Sequence, residues 1–103
     1  MRDSIMFVLF DVPMGNRTQR KEYTKLTKNL KKNGFQAIQK SIYIKHLRNT
    51  VIYKSDVRLL EEISPKKGDV LTFHMSVDQF RSIKSIRGEK IDFSLLCENI
   101  IVL

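Results

Sequence analysis

The sequence predicts an α+β fold, one sheet with helices on one of its faces, and three observations carry that prediction. An unbroken apolar run from Ile5 to Phe10 ends in Asp11-Val12-Pro13. Apolar residues at Tyr23, Leu26 and Leu30 recur at steps of three and four. Strand-type alternation then returns twice, at 35–47 and at 70–75. At 103 residues the chain is long enough for one core of modest size, so added stability from self-association is expected.

The elements follow in order. Ile5 to Val12 reads as a buried central strand, with Asp11 at its C-terminal end and Pro13 stopping the ladder. Met14, Gly15 and Asn16 form a turn, and a helix capped by Asn16 or Thr18 spans Arg17 to Lys32, ending at Asn33-Gly34. In Phe35 to Leu47 the alternation changes phase between Ala37 and Ile38, which predicts one strand bent by a bulge or two short ones. Asn49 caps a second helix with Ile52, Leu59, Leu60 and Ile63 on one face.

Ser64 to Asp69 is a turn, followed by a strand over Val70–Met75 that places Leu71, Phe73 and Met75 on one side and Thr72 and His74 on the other. Ser76 and Gln79 form a capping box for a short helix. The pattern weakens over 85–98 and recovers at Ile100 to Leu103, where four large apolar residues predict a strand pairing with a sheet edge of this chain or of a partner. This order, β-α-β-β-α-β with an additional C-terminal strand, is that of a ferredoxin-like sandwich. It divides the chain into a domain over 1–90 and an extension over 91–103.

Charge is concentrated rather than spread. Arg17, Arg20, Lys21, Lys25, Lys28, Lys31, Lys32, Lys40, Lys45 and Arg48 face one acid, Glu22, between residues 15 and 48, while the rest of the chain sums to about neutral. On the first helix Arg17, Lys21, Lys25, Lys28 and Lys32 fall at helical steps, forming one stripe that lacks the acid partners a solvated helix face normally carries. Such a block predicts a polyanion site.

Other chemistry is thin. Cys97 is the only cysteine, and His46 and His74 stand alone, so neither a disulfide nor a zinc set is available and a reducing, cytoplasmic setting fits. His74, a lone strand histidine with no paired acid in the sequence, reads as structural. No apolar run reaches membrane-span length. Asp11 is the one carboxylate next to a strand end and the basic block. It serves either as half of a metal site completed across a two-fold axis or as a turn cap.

Phe10-Asp11-Val12-Pro13, Arg20-Lys21-Glu22-Tyr23, Asn33-Gly34-Phe35, Gln39-Lys40-Ser41-Ile42-Tyr43 and Pro65-Lys66-Lys67-Gly68 occur in an order and spacing that resemble the CRISPR-associated Cas-two family over residues 4–90, in the versions that accompany bacterial type II systems. Phe10 stands where many relatives carry tyrosine. The resemblance implies a homodimeric ferredoxin-like protein of CRISPR adaptation that holds double-stranded DNA beside an integrase partner, with magnesium-dependent endonuclease activity in many members. Asp11 is then the catalytic, metal-binding aspartate for Mg2+, or Mn2+ in its place, and Ser41 lies near the dimer cleft. Nucleic acid is expected at Arg17, Arg20, Lys21, Lys25, Lys28, Lys32, Lys40, Lys45 and Arg48. A stand-alone RNA-cleaving nuclease of the same fold, or a module binding single-stranded RNA, fits the same residues.

Overall fold

Strand β1 (Ser4–Asp11) is followed by α1 (Arg17–Lys32), β2 (Gln36–Gln39), β3 (Ile42–Leu47), α2 (Thr50–Ile63), β4 (Asp69–Ser76), α3 (Val77–Arg81) and α4 (Phe93–Ile100). The structure is a computed structural model and describes residues 3–101. The strands form one sheet in the order β2-β3-β1-β4, every neighbouring pair antiparallel, as in a ferredoxin-like sandwich. The phase change expected in 35–47 is a register shift between Ala37 and Gln39, within β2, and the turn at Lys40 and Ser41 then separates β2 from β3. Among the described residues no helix is long and apolar enough to cross a membrane.

β1 is apolar in both phases, so each face of the sheet needs a cover. Met6, Val8 and Phe10 pack with Leu26 and Leu30 of α1 and Leu60 of α2. Ile5 and Phe7, on the opposite face, join Ile44, Phe80, Phe93 and Cys97. The expectation of helices on one face is therefore corrected: α1 and α2 cover one side, while α3 and α4 cover part of the other. Full burial of each large side chain contributes about 1.5–3 kcal/mol, which accounts for the recruitment of α4.

The expected C-terminal strand is also revised. Asp92 caps α4 by accepting from the Leu95 backbone N–H at 3.1 Å, Ile100 closes the helix, and Ile101 is its C-cap. Helical spacing of Phe93, Leu96, Cys97 and Ile100 suits a helix lying on a sheet face better than an edge strand. Val102 and Leu103, the remainder of that expected strand, lie outside the described residues.

α4 leaves the Asp11 end of its face uncovered. Leu71 remains 65% exposed and Phe73 41% exposed, although Phe73 stacks on Phe7 with ring centroids 5.0 Å apart. On the α1/α2 face, Leu59 falls outside the buried cluster, and Tyr53 and Val57 take its place in the α2 seam.

Candidate nucleic-acid interface

Of the two expected caps, Asn16 starts helix α1, and Thr18 lies within its first turn. Asn16 has extended backbone, and its Oδ1 accepts from the Gln19 N–H at 2.9 Å, while Gln19 Oε1 accepts from the Gly15 N–H at 2.8 Å. No acid sits in the first turn, and Lys31 and Lys32 occupy the last. The helix dipole thus favours the C-terminal lysines and leaves the N-terminal end positive beside Arg17 and Arg20.

Arg17, Arg20, Lys21, Lys25, Lys28 and Lys32 are all exposed, and among the described residues none of them forms an ion pair. Arg20 folds back to donate from Nη1 to the Met14 carbonyl at 3.5 Å, which holds it over the loop that follows β1. A shallow depression on the helix is lined by Arg17, Arg20, Lys21 and Thr24. Lys40 is exposed too, and its carbonyl accepts from the Tyr23 hydroxyl at 3.2 Å, tying the β2–β3 turn to α1.

The remaining basic candidates separate from this group. Lys45 Nζ lies 2.9 Å from Asp56 Oδ2, an ion pair without hydrogen-bond alignment, and 5.3 Å from the centre of the Phe35 ring. Its charge is neutralised under α2. Arg48 is exposed just beyond Leu47, and because Leu47 pairs with Ser4, it occupies the end of the sheet opposite Asp11.

Asp11 is exposed at the tip of β1. Ser41 is its near neighbour, since the Ser41 carbonyl accepts from the Phe10 N–H at 3.1 Å. Asp69, which sequence reasoning missed, is the cross-strand partner of Asp11 in β4. Directly opposed residues share a face, so one chain presents two carboxylates at this strand end. Among the described residues no cluster of three His, Cys, Asp or Glu exists. A pair of carboxylates fits Mg2+, which binds through one or two carboxylates and keeps several waters or substrate phosphates.

Lys66 and Lys67 were missed for a different reason: summing charge over the C-terminal half balanced them against distant acids. Both are exposed in the turn before β4. Gly68 fastens that turn to β1, because at φ +96° a Cβ there would lie 2.6 Å from the Asp11 carbonyl oxygen and 2.8 Å from Val12 Cα. The turn that carries two lysines and the strand end that carries Asp11 are therefore one rigid corner.

The family model described as CRISPR associated protein Cas2 matches residues 4–83. The chain belongs to the Cas2 family. A Streptococcus mutans relative (serotype c, strain NN2025) is 33% identical over 85 residues, covering 82% of this chain and 79% of its own length. One from Ligilactobacillus salivarius (strain UCC118) is 31% identical over 86 residues, covering 84% and 85%. A third, from Treponema denticola (strain ATCC 35405), is 31% identical over 99 residues, covering 95% and 98%, so its likeness reaches into the segment that forms α4. Each is named a CRISPR-associated endoribonuclease Cas2. Within the Cas2 family, this chain combines an unpaired basic helix face with a two-carboxylate strand tip to which Gly68 fastens the Lys66–Lys67 turn.

In the interior, Tyr43 is 4% exposed and packs beside Phe10. Burial, reinforced by nearby Tyr23, raises the pKa of its hydroxyl above the ordinary tyrosine value.

Proposed function

We propose that this chain is a CRISPR-adaptation protein. As a homodimer it binds double-stranded DNA as a scaffold for an integrase partner, and it carries a magnesium-dependent endonuclease centre at Asp11. The observation that carries the reading is the face of α1, where Arg17, Lys21, Lys25, Lys28 and Lys32 stand exposed with no ion-pair partner among the described residues. Phosphate contacts of this kind give binding that is steeply salt-dependent and nearly indifferent to base sequence.

The uncovered apolar end of the sheet supports a dimer. Leu71 and Phe73 are exposed beside Leu9 and Phe7, and a second copy removes that surface from water. Two-fold pairing there brings both Asp11–Asp69 corners to one interface, with the basic α1 faces available for one duplex.

In the nuclease role Asp11 and Asp69 would hold Mg2+, which when bound supplies Lewis-acid stabilisation of the phosphoryl oxygens and an activated water. Arg17, Arg20 and Lys21 hold the phosphate chain in place and offset its charge. The relatives' name favours RNA as the cleaved polymer, so competition between duplex DNA and single-stranded RNA separates the scaffold from a stand-alone ribonuclease.

Asp11→Asn is the deciding variant. Cleavage is expected to fall to background while duplex binding and spacer integration persist. Loss of integration with intact DNA binding would instead make the carboxylate essential to the adaptation role and overturn a dispensable nuclease centre.

A further inference from the structure

A cavity of about 310 Å3 lies at the start of α1, lined by Val12, Pro13, Asn16, Thr18, Gln19 and Glu22 on one side and by Pro65, Lys66 and Lys67 on the other. Its volume is at the small end of ligand pockets. That suits a single nucleotide rather than a stretch of duplex. Two prolines and a valine give apolar walls for a flat ring, and the two exposed lysines supply charge for a phosphate.

Glu22 needs its own explanation. It is the one acid between residues 15 and 48, it is exposed, and among the described residues it pairs with no cation even though two lysines line the same cavity. In a surface that bound only phosphate, this carboxylate would repel the ligand. A carboxylate accepts and cannot donate, so it suits the amino and imino donors of a base edge.

We propose that this cavity seats one unpaired nucleotide, its base between Pro13 and Pro65, its phosphate on Lys66 and Lys67, and its Watson–Crick edge donating to Glu22. Guanine fits best, since its N1–H and N2–H donors lie side by side and match the two carboxylate oxygens. Uracil offers one donor between two acceptors. The inference rests on the nucleic-acid reading above and adds a single-nucleotide specificity to it. Because Gly68 locks the lysine turn against Asp11 and Val12, the seat is preformed beside the carboxylate corner.

The test is titration of the 15N-labelled full chain with GMP, UMP and guanosine at low salt, read by amide shifts. GMP should give saturable shifts at Gln19, Glu22 and Lys66 to Gly68, binding about tenfold more tightly than UMP. Glu22→Gln should bring GMP and UMP to within a few-fold of each other. Lys66→Ala with Lys67→Ala should weaken GMP about tenfold and leave guanosine unchanged. Equal GMP and UMP affinities, shifts confined to the Lys25–Lys32 stripe, or no saturation would overturn the proposal. A blunt duplex titrated into the same sample reads the wider function separately. If the duplex binds and GMP does not, the nucleotide seat alone falls; if the duplex does not bind, the reading of α1 as a DNA face falls.

Discussion

At Gly68 the backbone adopts φ +96° with the Asp11 carbonyl where a Cβ would stand, so conformation and space both demand glycine. Gly68→Ala is expected to cost about 2 kcal/mol in denaturant unfolding and to displace the Lys66–Lys67 turn from β1. Asp56 is 7% exposed and answers Lys45 across the α2–β3 contact. Asp56→Ala leaves the Lys45 ammonium half-buried and unpaired, with an expected loss of about 2 kcal/mol measured by thermal unfolding. Tyr43 gives a pH signature. Its raised pKa means the folded state favours the neutral hydroxyl, so its contribution is fully present below the ordinary tyrosine pKa and is lost as pH rises through the folded value. Tyr43→Phe should therefore lose less stability than the parent chain in alkaline denaturation.

Helix α1 combines two faces. Leu26 and Leu30 are fully buried against the sheet, while the lysines and arginines stand on the opposite side. Removing surface charge at Lys25 and Lys28 should spare the fold and lower the log-log salt slope of duplex binding by about 0.9 for each phosphate no longer neutralised, read by anisotropy at several salt concentrations. An unchanged slope would place the duplex elsewhere. Helix α4 does the reverse work, covering apolar strand residues that the first two helices cannot reach. Phe93→Ala opens a void against Phe80, whose ring centre is 5.3 Å away, and is expected to cost about 3–5 kcal/mol in equilibrium unfolding. The signal for α4 was present in Asp92 and the spacing of Phe93, Leu96, Cys97 and Ile100. The contiguous apolar run from Ile100 to Leu103 carries an edge-strand pattern that competes with it.

For the whole molecule, the described residues measure 40 × 35 × 19 Å. The basic stripe runs about 22 Å along α1, from Arg17 to Lys32 at the rise of an α-helix. One copy thus spans less than the roughly 34–36 Å of a duplex turn, and the proposed dimer would extend the track. In the proposed dimer the exposed Leu71 and Phe73 would form the pairing surface, and Leu71→Glu should then shift the protein toward monomer in analytical ultracentrifugation. If Leu71→Glu leaves the oligomeric state unchanged, the pairing surface lies elsewhere.

The amino-acid pattern alone determined the bounds of α1, the caps at Asn49 and Ser76, a choice of Asn16 or Thr18 for the cap of α1, the place of Asp11 at a strand tip and the concentration of charge between residues 15 and 48. Each is written within a turn or two of chain, where capping, periodicity and like charge act locally. Tertiary structure decided the rest: Asp69 opposite Asp11, Lys45 given to Asp56 rather than to solvent, Lys66 and Lys67 brought beside Glu22, and α4 laid on the second face. These pairings join segments far apart in sequence. Their register and choice of face follow from which arrangement buries β1 on both sides, a condition no single stretch of the chain contains.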